Sequence, residues 1–473
     1  MAMNTTVAAR SPRALLITLG LGTFTVSIAA TTVVPVLPVL QQHFGVTAGD
    51  TAWLVTAYFL VASTATPVLG RLGDMKGKRP VLIGALVLFL VGSLVCAVAP
   101  NLALQIFGRA LQGFGGAVFP LAYGIVRDEL PVARIPNAIG FLAATPAVGG
   151  ALGLPLGGFI AEHAPVAIIF VAQSTLAITA LTAAWITLPG SRFRASGRVD
   201  IVGAIVFTVG FGLPLLAVSR AVSWGWGSPT TLGCFLVGAA LLAGWAWLEL
   251  RTTDPLVNIR TFIRRPVLLT NLTTAVAGFG LFGSFILLPQ LAQVPESSGY
   301  GLGLAASAAG LLLVPNALVN AATSGMSGRV IGRWGARTPL LVGCSIAVAA
   351  FVLLSVAHGG AWLLVLWSCV LAVGVGLSYP AMPTLILGAV EQHESSEASG
   401  VNTIMRNAGA AAGSALAGSI IAAHTLPSGL PTERGFSIAF LVAALASALA
   451  VAIGVWIPRE RPVPEPGTPV RAG

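Results

Sequence analysis

The stretch GRLGDMKGKRP, residues 70–80, joins two long apolar runs and carries four cations, one carboxylate, three glycines and a closing proline. Only 8% of the 473 residues are charged, yet five charges fall within these eleven positions. A polar connection between apolar segments explains the cations, but it does not require the lone carboxylate of Asp74. The segment therefore indicates a structural role for charge, which depends on what the flanking runs form.

The rest of the chain is too apolar for a water-soluble protein. Hydrophobic residues make up 56% of it and the mean hydropathy is +0.91. A helix needs about 20 mostly apolar residues to cross a bilayer, and lipid cannot satisfy the open edge of a sheet. We therefore predict an all-α, multi-pass membrane protein. The fourteen predicted spans are residues 14–40, 52–70, 80–99, 101–125, 137–160, 165–188, 201–219, 229–249, 266–291, 303–327, 338–357, 361–389, 398–423 and 436–457.

Basic residues indicate the orientation of these spans. If the N-terminus is cytoplasmic, 21 of the 25 lysines and arginines fall in cytoplasmic segments. Arg220 and Arg434 fall outside, and Arg109 and Arg406 lie within spans. Because cytoplasmic loops carry an excess of positive charge, we predict that both termini are cytoplasmic. Topology then explains the net charge of +10 without a basic face for nucleic acid.

A weaker copy of the opening stretch occurs later in the chain. The segment GRVIGRWGARTPLLVG, from Gly328, repeats the Gly-Arg start, a glycine seven residues on and an arginine two residues after it. Transporters built from repeats bind substrate near mid-membrane, where the halves meet. Eight spans separate the copies where a six-helix repeat gives six, which predicts a surplus helix pair. The predicted segments are an N-terminal six-helix bundle (1–189), a linker with two extra helices (190–265), a C-terminal six-helix bundle (266–457) and a cytoplasmic tail (458–473).

These motifs resemble those of a known family. GRLGDMKGKRP resembles the signature between the second and third helices of the major facilitator superfamily, with Met75 where a cation is usual. LALQIFGRALQGFGGA (102–117) resembles the fourth-helix motif with its buried arginine, here Arg109. WLVTAYFL (53–60), GRVDIVGA before span 7 and LVNIRTFIRRPVLLTN before span 9 are similar to the fourteen-helix drug:proton antiporter branch. The resemblance covers nearly the whole chain.

Asp74 can act as a latch between helices. At a helix end it can bind Arg71, Arg79 or the positive N-terminal end of a neighbouring helix. The glycines allow a tight turn, and Pro80 begins the next helix. The family resemblance implies that such a latch stabilises the outward-facing state, whereas charge that only sets topology is the alternative. The candidate latch residues are Gly70, Arg71, Asp74, Gly77 and Arg79.

Span 5 contains a helix face without side chains. Gly149, Gly153 and Gly157 recur at every fourth residue, which lets another helix approach closely and slide. The segment resembles the fifth-helix antiporter motif, except that Leu154 stands at the proline position and Pro155 follows it. Ordinary packing of small residues is the alternative. The candidate helix-packing motif comprises Gly149, Gly153, Pro155, Gly157 and Gly158.

Two arginines lie within predicted spans. Arg109 is eight residues into span 4, with Gln112 on nearly the same helix face. A charge there is costly unless it faces a partner or a watery cavity, although it could also snorkel or cap carbonyls at the start of its span. By resemblance, Arg109 takes part in proton coupling or substrate contact. Arg406 in span 13 is a second candidate, which the acidic loop before that span could instead neutralise as an anchor.

All fifteen carboxylates fall in loops or at span ends. A proton-driven pump needs a group whose pKa shifts between water and protein. In the branch that the chain resembles, the first helix usually carries an aspartate where this sequence has Ala29. Candidates for coupling are therefore Asp50, Glu162 and His163 at the outer mouth, with His43 nearby. Solvated loop residues without a function are the alternative.

Polar and aromatic residues inside the spans mark the expected substrate path. Buried amides and hydroxyls would lose hydrogen bonds in lipid, although any one of them could simply join helices. As a set they predict a cavity for an amphiphilic organic molecule, neutral or anionic in preference to purely cationic. The candidates are Ser27, Thr31, Gln173, Asn271, Phe279, Phe282, Phe285, Gln290, Asn316, Asn320, Tyr379 and Asn402.

The expected function is secondary active export of a drug or secondary metabolite in exchange for protons by alternating access. An importer or facilitator without proton coupling is the alternative. Scattered histidines and loop-bound acids argue against an enzyme, and neither a channel filter nor a P-loop is visible. The cysteine spacing suits no metal site. We expect a monomer in the bacterial cytoplasmic (inner) membrane, with cargo and protons as partners and without cofactor, metal or nucleic acid.

Overall fold

The computed structural model describes residues 11–46, 48–51, 53–190, 200–252, 258–426 and 430–458, and these residues are mostly helical. A helix satisfies its own backbone hydrogen bonds, which is why long apolar sequences adopt it in lipid. Within those ranges, pairing of β type is limited to a single bridge between Thr425 and Pro431. The all-α class predicted from the sequence is confirmed.

The helices before Gly190 form the first helix set. Asn101 caps one of them, since its side chain accepts a hydrogen bond from the Leu104 N–H at 2.9 Å. A 3-10 turn at Phe114–Ala117 joins α6 to α7. The first set comprises α1 (Pro12–Thr32), α2 (Leu37–Phe44), α3 (Ala48–Thr51), α4 (Trp53–Lys76), α5 (Lys78–Val98), α6 (Leu102–Gly113), α7 (Val118–Glu129), α8 (Ile135–His163) and α9 (Ala167–Thr187).

A helix pair and a second helix set follow. The pair is α10 (Ile201–Trp224) and α11 (Pro229–Glu249). The side chains of Asp200 and Ser228 cap these two helices. The short α12 (Ile259–Phe262) leads into the second set. That set comprises α13 (Arg265–Gln293), α14 (Ala306–Leu311), α15 (Leu313–Trp334), α16 (Arg337–Val356), α17 (Ala361–Ala389), α18 (Ser395–Ala423) and α19 (Glu433–Gly454).

In the part of the chain that the structure describes, ten helical segments are long and apolar enough to cross a membrane. The chain is therefore a multi-pass membrane protein. The four other predicted spans, in α6 with α7, α10, α13 and α18, are helical but fall outside these ten. In α18 the reason is composition, because small and polar residues fill much of that helix. The count of fourteen spans stays a prediction.

The two copies of the repeat adopt the same local structure. Gly77 and Gly335 both have positive φ angles, 106° and 75°, which strain any residue with a Cβ. Two residues after each glycine, an arginine donates to a carbonyl near the end of its own helix set. Arg79 Nη2 donates to the Trp185 oxygen at 2.7 Å, and Arg337 Nη2 donates to the Val455 oxygen. The two sets therefore share a structural repeat.

The two sets touch where both repeats lie. A Cβ at Gly70 would stand 2.7 Å from the Ser396 carbonyl oxygen at the start of α18, and a Cβ at Gly328 would overlap Asn137 at the start of α8. Each first glycine thus exposes backbone on which a helix of the other set packs. We name this end of the molecule the Asp74 face, and the opposite end, where α8 finishes, the Glu162 face.

The α10–α11 pair packs across the seam between α4 and α18. Phe207 of α10 shares an apolar cluster with Val401 and Ile404 of α18, against which Val68 of α4 also packs. Towards the Glu162 face, the Arg220 guanidinium lies 4.5 Å from the Trp53 ring centre of α4. There the Trp226 Nε1–H also donates to the Ser419 Oγ of α18 at 2.6 Å. The pair therefore contacts both helix sets.

The glycine face of α8 packs against α1 of the same set. A Cβ at Gly149 would stand 2.5 Å from the Ser27 Cβ, and at Gly153 or Gly157 it would overlap Thr31 or the Thr32 carbonyl. Within the helix, Pro155 lies between the last two of these glycines. The close approach expected of this face is therefore observed, and its partner is a helix of the first set.

This packing predicts opposite outcomes for two adjacent glycines. Gly157→Ala places a methyl group against the Thr32 backbone, so overpacking should cost about 1–3 kcal/mol and lower the melting temperature in detergent. At Gly158 the nearest atom, the Pro35 Cβ, would lie 3.9 Å away. Gly158→Ala should therefore leave the melting temperature unchanged or raise it through helix propensity. Equal melting temperatures for both variants would contradict the packing described.

Candidate functional site

Asp74 lies in the last turn of α4 and is completely buried. Its Oδ2 atom accepts hydrogen bonds from the backbone N–H groups of Ser396 at 3.0 Å and Glu397 at 2.8 Å. Both groups belong to the first turn of α18, where donors lack intrahelical acceptors and the helix carries partial positive charge. A carboxylate of the first set therefore caps a helix of the second set.

Lys78 balances the Asp74 charge from the start of α5. Its Nζ atom lies 3.2 Å from Asp74 Oδ1 and 2.7 Å from Asp128 Oδ2, and the residue is only 1% exposed. These ion pairs join α4, α5 and α7 within the first set. The Lys78 ammonium group attracts both carboxylates, which repel each other, and removing one partner of a buried pair costs about 3–5 kcal/mol.

The sequence suggested three possible partners for Asp74, namely Arg71, Arg79 and the N-terminal end of a neighbouring helix. In the structure the helix N-terminus is the partner. Arg71 instead forms an ion pair with Glu397 at 3.2 Å, and Arg79 donates to the Trp185 carbonyl. Arg71 therefore takes part in the contact between α4 and α18. Arg79 joins α5 to α9 within the first set.

Further hydrogen bonds surround this cap. Arg127, near the end of α7, donates to the carbonyls of Val390 at 2.7 Å and Glu391 at 3.0 Å in the second set. Glu397 also accepts from the backbone N–H of Asn258, just before α12, at 2.8 Å. The two sets are thus joined at the Asp74 face. We name the contact formed by Asp74, Lys78, Asp128, Arg71 and Glu397 the latch.

Arg109 lies in α6 and is 0% exposed. Its Nε atom donates to the Leu54 carbonyl at 3.1 Å, and Nη1 donates to the Ala29 carbonyl at 3.3 Å and to Gln112 Oε1 at 2.5 Å. The guanidinium lies 4.3 Å from the Tyr58 ring centre. Carbonyl dipoles and an aromatic face thus stabilise this charge. Snorkelling and capping at the start of its own span, the two alternatives for Arg109, are both wrong.

Gln112 extends the contacts of Arg109 into a polar chain. Its Nε2 donates to Ser93 Oγ and to Gln173 Oε1, both at 2.7 Å, and Gln173 Nε2 donates to Thr32 Oγ1 at 2.8 Å. These bonds join α1, α5, α6 and α9 within the first set. The amide of Gln173, a predicted cavity residue, therefore joins helices in this conformation.

Polar candidates of the second set also pair with one another. Asn402 Nδ2 donates to Asn271 Oδ1 and Thr274 Oγ1, both at 2.9 Å, which joins α18 to α13. Asn316 Nδ2 donates to the Ser368 carbonyl at 2.5 Å and joins α15 to α17. These side-chain amides therefore join helices, which is the alternative to a role in the substrate path.

The remaining cavity candidates have several environments. Three of them make hydrogen bonds to a neighbouring turn or helix: Ser27, Thr31 and Asn320. The backbone of Phe279 lies against glycines of α18, and Gln290 is exposed. Two side chains lie outside the described residues: Phe282 and Phe285.

Arg406 is the twelfth of the 29 residues of α18, about 16 Å along the axis from its first residue. Its guanidinium lies 5.3 Å from the Tyr379 ring centre and interacts electrostatically with the Tyr123 hydroxyl. Tyr123 belongs to α7, so this contact also bridges the two sets. Neutralisation by the acidic loop is wrong, because Glu397 pairs with Arg71 and lies about 14 Å away along the helix.

The coupling candidates at the Glu162 face have exposed side chains. They are Asp50, Glu162, His163 and His43. The imidazole of His163 stacks on the Phe159 ring at 4.5 Å, and Asp50 interacts electrostatically with Arg220 of α10. Among the described contacts, none brings these residues to the arginine of α6. The structure therefore separates the two groups of coupling candidates.

Sequence reasoning missed Lys78, Asp128 and two tyrosines. Lys78 and Asp128 pair across 50 residues of sequence, which no local pattern reveals. Tyrosine offered a sequence signal, because three of the chain's four tyrosines fall within predicted spans, where they interact with Arg109 or Arg406. A tyrosine ring and hydroxyl can stabilise a cation without a carboxylate. This pattern would have identified Tyr58 and Tyr123.

The chain is similar to known membrane transporters along most of its length. The Major Facilitator Superfamily profile matches residues 19–414 and 272–473. The multidrug resistance protein Stp of Mycobacterium tuberculosis is 28% identical, over 86% of this chain and 75% of that protein. A multidrug resistance protein B homolog of the same organism is 30% identical, over 82% and 73%. The crystal structure of the human organic anion transporter MFSD10 (TETRAN) shares the fold, with a TM-score of 0.67, 18% identity and coverage of 94% and 100%.

Two lysines of the opening stretch provide a test of the latch. Lys78→Gln leaves Asp74 and Asp128 buried without their cation, so the latch should weaken by about 3–5 kcal/mol. Lys76 is exposed, and Lys76→Gln should have no such effect. A cysteine at Ser396, buried between the sets, should react faster with a membrane-impermeant maleimide in the first variant only. Equal labelling rates in both variants would exclude a stabilising role for the buried lysine.

Proposed function

Because the chain belongs to the Major Facilitator Superfamily, whose members carry small molecules across membranes, we propose that it is a secondary active exporter. The proposed cargo is a small amphiphilic organic molecule, a drug or secondary metabolite, exchanged for protons. The latch carries this proposal, since Asp74 of the first set caps α18 of the second. Alternating access requires such a contact, which can form or break at one face.

The proposed topology follows the predicted segments. Six-helix bundles at 1–189 and 266–457 flank the extra pair within 190–265, and a tail follows at 458–473. This gives fourteen spans, against ten that length and hydropathy identify in the described residues. The excess of basic residues in the loops of the Asp74 face supports a cytoplasmic position for that face and both termini. A monomer in the bacterial cytoplasmic membrane is consistent with this arrangement.

In this topology the closed latch corresponds to an outward-facing state. Opening towards the cytoplasm must break the two hydrogen bonds to Asp74 and the ion pair of Arg71 with Glu397. Each hydrogen bond to a charged group contributes about 1.5–3 kcal/mol. Binding of cargo or protons has to offset this cost. The bare glycine face of α8 against α1 is proposed to accommodate the movement.

The cargo class is supported by relatives and by the residues inside the helices. Two relatives are named for multidrug resistance, which supports drug-like cargo. Arg109 and Arg406 are the charges inside the predicted spans, away from the span ends, in the described part of the chain. Positive charge at this depth favours a neutral or anionic amphiphile over a cation.

The proton-carrying group is proposed among the coupling candidates. Arg109 and Gln112 form one group within the first set, and Asp50, Glu162 and His163 form another at the Glu162 face. The carboxylates and the imidazole can exchange protons with water from the outer side. Arg109, in the first of these groups, would respond to that change in charge without losing its own proton.

A facilitator or importer without proton coupling is the second candidate. The observation that favours it is the nature of Arg109 and Arg406, because arginine keeps its charge at physiological pH and cannot carry a proton. Proteoliposomes loaded with cargo under an imposed pH gradient separate the two candidates. Antiport predicts that cargo moves in the direction opposite to the protons, which flow down their gradient. A facilitator predicts equal rates of cargo transport in both directions, with or without the gradient.

Asp74→Asn tests the transport cycle directly. The amide keeps an oxygen acceptor but removes the charge that faces Lys78 and the α18 N-terminus, so export should fall roughly tenfold or more. Glu391→Gln is the matched control, since that carboxylate is exposed at the same face. Resistance to a compound panel would be measured in a pump-deficient bacterial host, with and without a protonophore, at equal membrane levels of protein. Normal export by Asp74→Asn would refute the latch mechanism.

A further inference from the structure

Arg406, Tyr379 and Tyr123 form a cluster that the latch does not use. Arg406 and Tyr379 come from α18 and α17 of the second set, and Tyr123 comes from α7 of the first set. The guanidinium lies 5.3 Å from the Tyr379 ring centre and interacts electrostatically with the Tyr123 phenol. We name these three residues the Arg406 cluster.

The cluster holds a cation that the described residues do not neutralise. The acids nearest along the chain already have partners, since Glu397 pairs with Arg71 and Glu394 accepts from the Asn258 side chain at 3.0 Å. A ring face and one hydroxyl compensate only part of the hydration that a guanidinium loses inside a membrane protein. The cluster therefore has capacity for an anion.

The geometry of the cluster suits a carboxylate. A guanidinium presents paired N–H donors that match two carboxylate oxygens. Tyr379 and Tyr123 each carry an O–H group that can donate as well as accept a hydrogen bond. Arg406 and Tyr379 are both partly exposed, whereas Tyr123 is only 3% exposed, so a ligand would approach the cluster from the side of Arg406 and Tyr379.

Arg109 has a different environment and offers no such site in this conformation. It is 0% exposed, its Nε and Nη1 donate to the carbonyls of Leu54 and Ala29 and to the amide of Gln112, and its Nη2 is buried without a hydrogen-bond partner among the described residues. A cargo molecule could reach it only after these contacts break. Of the two arginines within spans, Arg406 is therefore the one that a ligand can contact directly.

We propose that the Arg406 cluster is the subsite that binds the carboxylate of an amphiphilic organic anion, an inference that rests on the proposed transport function. The carboxylate accepts from the Arg406 guanidinium and from the hydroxyls of Tyr379 and Tyr123. The ligand then touches both helix sets, because Tyr123 lies on α7. Its apolar part extends between the sets, on the side of the cluster away from the latch. The residue that binds the charge of the cargo, Arg406, therefore lies about 15 Å from Ser396 along the α18 axis.

A matched pair of probes tests this subsite. Pyrenebutyrate and its uncharged amide have nearly the same shape, and energy transfer from tryptophan to pyrene reports their binding to purified full-length protein in nanodiscs. Wild-type protein should bind the carboxylate at least tenfold more tightly than the amide. Arg406→Gln should weaken carboxylate binding roughly ten- to hundredfold, the range expected for a lost hydrogen-bonded charge, and change amide binding less than twofold.

Further variants separate charge, geometry and folding. Arg406→Lys keeps the charge but loses the paired donors, so its carboxylate affinity should fall between those of wild type and Arg406→Gln. Tyr123→Phe and Tyr379→Phe should each lower carboxylate affinity several-fold and leave amide affinity unchanged. Tyr300→Phe is the control, because that hydroxyl donates to the Pro431 carbonyl in a loop. The carboxylate-to-amide ratio is measured within each variant, so it does not depend on the folded fraction.

Two results would overturn the subsite. One is equal binding, or no binding, of the two probes by wild-type protein. The other is an equal loss of both probes in Arg406→Gln, which would make the arginine purely structural. The binding measurement needs no gradient, so it is independent of transport. Protein that shows the expected binding but moves no compound in proteoliposomes would contradict the proposed export and leave the anion site standing.

Discussion

The capping of α18 by Asp74 is the interaction on which the rest of the arrangement depends. The first turn of a helix has N–H donors without acceptors, and burying them is costly unless a partner is supplied. Here the partner is a carboxylate on the other helix set, and it can act only while the two sets are together at the Asp74 face. Lys78 and Asp128 hold that carboxylate in place from within the first set. The need of the α18 N-terminus for hydrogen-bond acceptors thus determines how the two helix sets contact each other.

The repeat makes two contacts between the sets, and they are not equivalent. At one, Gly70 packs on Ser396 beside the charged latch, and at the other, Gly328 packs on Asn137. The position that corresponds to Asp74 in the second copy is Gly332, so that copy has no carboxylate to cap a helix. Close packing at a glycine therefore occurs in both copies of the repeat, whereas the charged residues of the latch occur only at the contact between α4 and α18. The α10–α11 pair lies across that same seam and contacts both sets near the opposite face.

Much of this could be predicted from the sequence, because helical periodicity, glycine spacing and charge placement are local properties. Asp74 and its helix-end partner were among the predicted options, and the turn glycines Gly77 and Gly335 were recognised from the repeat. Lys78, Asp128 and Tyr123 were missed, since their partners come from other helices and only the folded chain brings them together. Several polar residues expected in a cavity, such as Asn402 and Gln173, pair with other side chains instead. Hydrogen-bonding capacity alone does not tell whether a buried amide faces a ligand or a neighbouring helix.

We propose that one contact between the helix sets, the latch, opens and closes as cargo moves. The most direct measurement is the distance between spin labels at Lys76 and His393. Both positions are exposed at the Asp74 face, the first in the first helix set and the second in the second set. Without cargo, a short distance should predominate, and a longer one should appear when cargo and a pH gradient drive turnover. A single, unchanged distance under conditions in which transport proceeds would contradict the claim.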